Sequence, residues 1–362
     1  MITDLFSPGE AGDLLEMLLR CGIGLPGAAL IILFFKSIIR VGILNQHYQD
    51  SVAFWTGLII FRLFRFRIAM LPGGRARKNE IMTWFWPCML IAITTVWFML
   101  VSFGFALLNL AFDAEKTMTT ALIASGSALS TLGFSTPSTV IGQVLAITEG
   151  AIGLFIIVYL FTFLPGFMDL LRERGNRIAW IYHRAGDTPS GSGLLTWMAR
   201  NARSSDLASV WEEWAAFFHT LSNSRSFLPI LCIVRPLAPE NSWICAFTAF
   251  LDALALQNTT VAGATEHSQI CFQNGVNVIR NTHQAMRGTP ISPQRDPALM
   301  HVKRAEYDAA CAQLEAAGIE LVKDRETAWQ LFVEAHMSYE EEVAWLAAAI
   351  DDPVPTWPTP AK

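Results

Sequence analysis

Apolar positions along this chain come in long unbroken runs before they come in periodic stripes. From Ile81 to Phe112 there is no charged side chain. That exceeds the roughly 20 residues that cross a hydrocarbon core, so the run predicts a membrane-spanning helix with some tilt. A second run, Ser138 to Met168, carries one charge, Glu149. Asp113, Glu115 and Lys116 separate the two, followed by a modestly apolar stretch from Thr117 to Ser130. That stretch is too short to cross and return. It predicts a re-entrant half-helix, which a bilayer tolerates only where protein surrounds it or water lines it.

The first 80 residues allow two arrangements. Cys21 to Phe35 is apolar between Arg20 and Lys36, so a helix from about Leu14 to Phe35 can span with its ends snorkelling. Ser51 to Phe61 gives only eleven further residues before Arg62, Arg65 and Arg67. Lys36, Arg40, Arg62, Arg65, Arg67, Arg75, Arg77 and Lys78 precede Ile81, and Arg172, Arg174, Arg177 and Arg184 follow Met168. Placing both groups in the cytoplasm obeys the positive-inside rule. This favours one spanning helix before Lys36, an interfacial helix near 51–68, three spans in all and an external N-terminus. The rival arrangement makes 51–68 a fourth span and moves the N-terminus inside. The segment before Gly22 is acidic and lacks a basic start and an A-x-A site, so a cleavable signal peptide is not expected.

Beyond Gly191 the pattern turns helical and soluble. Val210, Trp211, Trp214, Phe217, Phe218 and Leu221 recur at three- and four-residue spacing, as do Trp329, Phe332, Val333 and His336. No alternating strand pattern occurs. Charge follows the same division: the chain is +1 through Met168 and −6 from Asp169 onward. The expected organisation is an all-α membrane protein. Residues 1–80 hold an N-terminal membrane helix and an interfacial basic helix. Residues 81–168 hold the two long apolar runs and the short stretch between them, 169–350 a helical cytosolic domain, and 351–362 a flexible tail with four prolines.

Composition narrows the classes. Hydrophobic residues make up 52% of the 362 and charged residues 16%, too few charges to cover a soluble protein and too apolar for disorder. A net charge of −5 leaves no footprint for nucleic acid. The six cysteines include no CxxC pair, so reduced thiols are expected rather than a zinc ligand set or a disulfide framework. The seven histidines show no HExxH spacing, and no glycine-rich phosphate loop precedes a helix. His219, His267 and His283 read as surface or core residues. No enzyme and no cofactor are expected.

Candidate chemistry lies between the two strongest apolar runs, at Ser130-Thr131-Leu132-Gly133-Phe134-Ser135-Thr136-Pro137. Helix, re-entrant helix, Thr-x-Gly-aromatic, Pro and helix in that order resemble the pore module of tetrameric potassium channels, whose filter reads TVGYG or close to it. The resemblance covers about Ile81 to Met168. It implies an outer helix over 81–112, a pore helix over 117–130, a filter over 131–135 and an inner helix over 138–168. It further implies that carbonyls of Thr131, Leu132, Gly133 and Phe134, with Ser135 at the rim, replace the hydration shell of K+. The Thr131 hydroxyl would add an inner ring and Phe134 would wedge the loop against the pore helix. One loop per chain implies four chains around one axis, a homotetramer.

Two features qualify this reading. Ser135 stands where the family has a second glycine, and positive φ costs Ser more than Gly, so the outer rim is expected to be differently shaped or less rigid. In the downstream run, Gly142, Ala146 and Gly150 form a small-residue face. Glu149, Gly150, Gly153, Pro165 and Gly166 are candidates for gating or filter support, with packing and helix termination as the plainer role.

A second resemblance lies in the last half. Trp211-Glu212-Glu213-Trp214, Leu228-Pro229, Arg235-Pro236, Ser242-Trp243 and Leu251-Asp252-Ala253 are similar to the helical C-terminal domain of an uncharacterised group of prokaryotic potassium-channel-like proteins. It implies no ligand. The combined expectation is a homotetrameric cation channel of a bacterial inner membrane, in contact with the lipid bilayer and passing potassium. Its cytosolic domain would assemble or regulate it, with an unidentified ligand or partner. The competing class is a non-conducting sensor or scaffold that keeps the pore fold.

Overall fold

The structure is a computed structural model that describes residues 8–42, 50–70, 75–201, 204–224, 228–234, 241–287, 302–350, 352 and 357. Arg235, Pro236 and nearly all of the 351–362 tail lie outside the described residues. The described residues are helical and contain no strand. A single antiparallel bridge pairs Val261 with Leu321.

The chain divides into two units, the first comprising 1–44, 48–70 and 84–167. It contains α1 (Pro8–Gly42), α2 (Ser51–Met70), α4 (Phe85–Ala111), α5 (Met118–Leu129) and the first part of α6 (Val140–Ala185). Three helical stretches are long and apolar enough to cross a membrane: Met17–Val41, Glu80–Ala111 and Val140–Ala185. By that measure the chain is a membrane-embedded, all-helical protein with three candidate spans, and α2 is not among them.

Contacts set the order of packing. α1 runs antiparallel to α4: Gly24 lies by Ala111, Gly27 by Gly104, and the Phe34 ring by Trp97. α2 continues down the first half of α4, with Gly57 beside Met89 and Phe61 and Phe64 edge-on to Phe85. A buried carboxylate fixes the junction. Asp50 Oδ2 accepts the Ala53 amide at 2.8 Å, capping α2, and the Ser37 hydroxyl at 2.7 Å. Ser37 Oγ in turn accepts Trp97 Nε1–H at 2.9 Å. Phe34, Ile38, Trp97, Val101, Leu129, Ile152 and Ile156 form the shared core.

The second unit comprises 45–47, 71–83 and 168–362. It contains α3 (Arg75–Thr83), the rest of α6, α7 (Gly191–Asn201), α8 (Ser204–Asn223), α9 (Leu228–Ile233), α10 (Trp243–Thr259), α11 (Glu266–Arg287), α12 (Arg304–Ala316), α13 (Arg325–Met337) and α14 (Glu340–Ile350). α10 is its axis. Every residue from Trp243 to Leu256 is buried, and Ser242 caps it by accepting the Cys245 amide at 2.9 Å. The aromatic stripe of α8 is core: Trp214 stacks on Phe250 with centroids 4.0 Å apart, and Trp211, Phe217 and Phe218 are buried.

Two arginines counted above as cytoplasmic charges are spent inside this unit. Arg174 is buried and donates to the carbonyls of Leu231 and Val234, closing the end of α9. Arg184 lies over the rings of Trp180 and Trp197, 4.2 and 4.8 Å from their centroids.

Candidate functional site

The loop from Thr131 to Ser135 follows α5. Thr117 starts α5 by accepting the Thr120 amide at 3.2 Å, and the helix ends in polar residues that hold the loop. Ser127 is fully buried, and both of its oxygens are used. Its carbonyl accepts the amides of Leu132 at 3.1 Å and Gly133 at 3.2 Å. Its hydroxyl oxygen accepts the amide of Ser135 at 2.9 Å. The Thr131 amide is bound to Ala128 O at 3.0 Å. Four amides of the five-residue loop thus point back to α5. Among the described residues no hydrogen bond ends on the carbonyls of Thr131, Leu132, Gly133 or Phe134.

The left-handed conformations fall on Thr131 (φ 57°) and Gly133 (φ 69°), not on Ser135. Ser135 thus avoids the positive φ that costs Ser more than Gly, and its amide is tied to Ser127. The strain sits at Thr131 instead. The Thr131 hydroxyl donates to its neighbour's carbonyl, Ser130 O, at 2.7 Å. Within one chain Phe134 does not wedge the loop against α5: it is 68% exposed, and Leu132 is 72% exposed.

Behind α5 lies the Glu149 site. Glu149 on α6 is fully buried, and Ser125 Oγ donates to its Oε1. The same hydroxyl lies 2.9 Å from Ser102 O and 3.1 Å from Ser102 Oγ on α4. Ser125 therefore joins α4, α5 and α6, two residues before Ser127. The other oxygen, Glu149 Oε2, is buried with no hydrogen-bond partner among the described residues. α6 reaches this close because of its glycines. A Cβ at Gly150 would stand 3.4 Å from Ala128 O, and one at Gly153 would fall on Leu129 O. Gly153 is thus required for packing against α5, whereas a Cβ at Gly150 would make an ordinary contact. Pro165 lies inside the continuous α6, and nothing lies within 4 Å of a Cβ built at Gly166.

The second unit holds a buried polar cluster that the sequence did not single out. Asp252 of α10 accepts the Tyr339 hydroxyl at 2.5 Å. His336 of α13 stands between Asp252 (3.4 Å) and Glu340 (3.5 Å). Burial works against a charge on His336, but the two carboxylates outweigh it and raise its pKa to about 9. Burial and the neighbouring Asp252 push Tyr339 well above its ordinary value. The one sequence signal was Asp252, a single acid in the otherwise apolar run Trp243–Leu256.

His219 is exposed, His267 pairs with Glu212 at 3.1 Å, and His283 is buried against the Trp345 ring. Among the described residues no group of His, Cys, Asp and Glu is arranged to hold a metal. Comparison with protein-family models, with curated proteins and with solved structures found no match.

Proposed function

We propose that the chain is the subunit of a homotetrameric, re-entrant-loop cation channel that passes potassium, with its last unit cytoplasmic as an assembly or regulatory domain, in a bacterial inner membrane. The observation that carries this reading is the polarity of the 131–135 loop. Its amides are satisfied from behind by Ser127 and Ala128, while four successive carbonyls accept no hydrogen bond. In the single chain the loop is exposed and these carbonyls face water, but unpaired carbonyls buried at the axis of an assembly would be costly. That cost is removed where the carbonyls replace the water around a cation. Four copies around an axis would also cover Leu132 and Phe134, which one chain leaves exposed. Ser125 and Glu149 then act as positioning residues, since they fix the helix that holds the loop.

The deciding measurement is potassium flux through purified full-length protein in liposomes, with a bi-ionic reversal potential against sodium. A potassium-selective current from particles of four chains is expected. Absence of flux under all voltages, lipids and pH values would overturn the reading in favour of a non-conducting scaffold. Cysteine labelling at Arg77 and Thr136 should report opposite sides of the membrane, Arg77 cytoplasmic.

A further inference from the structure

α2 presents two unlike faces. Gly57, Phe61 and Phe64 lie against α4. On the opposite side Trp55, Ile59, Leu63, Phe66 and Met70 are each more than half exposed. At about 100° per residue these five fall within a strip roughly a quarter of the circumference wide. Arg62 and Arg65 flank one edge of the strip and Arg67 the other. All three arginines are exposed. α2 contains no acidic residue, and none of the three has an ion-pair partner among the described residues.

Their height is fixed by α4. Phe61 and Phe64, the neighbours of Arg62 and Arg65, pack on Phe85, the first residue of α4. The preceding Trp84 is 66% exposed, and Glu80 marks the end of the apolar span. The arginines therefore stand where the span ends, at headgroup level. An apolar strip edged with cations fits the boundary between acyl chains and acidic headgroups. Guanidinium also matches phosphate oxygens in a bidentate fork. The Asp50–Ser37–Trp97 chain already holds α2 on α4, so little ordering is left for a ligand to impose.

We infer that α2 is a docking site for anionic phospholipid of the leaflet at the α4 N-terminus, with Arg62, Arg65 and Arg67 on the headgroup phosphates and Trp55, Ile59, Leu63 and Phe66 against the acyl chains. This assignment does not depend on conduction.

The test is native mass spectrometry of the full chain in detergent micelles doped with phosphatidylglycerol or phosphatidylcholine. Phosphatidylglycerol should be retained at least tenfold better. Each arginine replaced by Gln should lower that preference about fivefold, and R62Q/R65Q/R67Q should abolish it while inorganic phosphate fails to compete. Equal retention of the two lipids, a triple variant that keeps the preference, or displacement by free phosphate would overturn the assignment. Should the triple variant lose the wild-type oligomer peak, the wild-type chain decides. Its preference must fall between about 0.05 and about 0.5 M salt, and a level preference would overturn the assignment.

Discussion

The backbones of α1 and α4 meet at Gly27 and Gly104: a Cβ at 27 would stand 2.7 Å from Gly104 O, and one at 104 would stand 3.0 Å from Gly27 O. Small residues let helices approach this closely in an apolar medium, where packing rather than water drives association. Gly104→Val is expected to destabilise the chain by about 1–3 kcal/mol through overpacking. Gly22→Ala, whose Cβ meets nothing within 4 Å, should be neutral or slightly stabilising. Thermal unfolding in detergent, followed by tryptophan fluorescence, separates the two.

Loop geometry makes a second prediction. Gly133 holds φ 69° with open space around its Cα, so Gly133→Ala meets no clash but pays about 1–2 kcal/mol of backbone strain. It should reduce or abolish flux. Ser127→Ala removes the acceptor for the Ser135 amide and should lower potassium-over-sodium selectivity, whereas Ser127→Thr should retain it. Ser135→Gly relieves no strain, because Ser135 is not left-handed, and should leave the bi-ionic reversal potential unchanged.

Glu149 and Ser125 form a third test. Glu149→Gln keeps the volume and an acceptor for Ser125, so unchanged thermal stability is expected. Ser125→Ala breaks the junction of α4, α5 and α6 and leaves Glu149 buried without its partner. A loss of about 1–3 kcal/mol follows from that desolvated group. Equal stability of Ser125→Ala and wild type would remove this junction from the support of the loop.

How much of this was legible in the sequence depends on how local each signal was. A run without charges placed α4, a run with one charge placed the first part of α6, and the short apolar stretch after Lys116 placed α5, because length and charge act over neighbouring residues. The eleven apolar residues before Arg62, with the arginines after them, placed α2 as a helix near 51–68, and it ends at Met70. Contacts across long separations left no trace. Ser127 reads as one more small polar residue until the loop folds back on it. Arg174 looks like a cytoplasmic charge until α9 arrives 57 residues later. The Ser135 amide is of the same kind, held by a side chain eight residues upstream.

The buried cluster of the second unit predicts a pH dependence. His336 carries a pKa raised to about 9 against roughly 6.5 in an unfolded chain. A raised value means that the native state binds the proton more tightly. Its contribution is therefore complete below about pH 6.5 and is lost as pH rises through about 9. The amount is on the order of 3 kcal/mol. Melting temperature of the full chain should fall between pH 7 and 10, and His336→Gln should flatten that fall. A wild-type melting temperature that holds level over the interval would contradict the pairing with Asp252 and Glu340.

Asp252 also bears on how the chain is made. α10 is a 17-residue helix buried on all sides, so its sequence lacks the polar face that marks most helices of a water-soluble unit. A nascent chain whose earlier apolar runs have entered the bilayer offers this one to the insertion machinery before α11, α13 and α14 exist to cover it. A carboxylate near the centre of such a helix costs about 2.5–3.5 kcal/mol on entry, and the segment is at the short limit for crossing. Asp252→Leu removes most of that barrier. A fraction of nascent Asp252→Leu chains should then carry α10 as an extra crossing, placing everything after Thr259 on the wrong side of the membrane, where protease protection would reveal it.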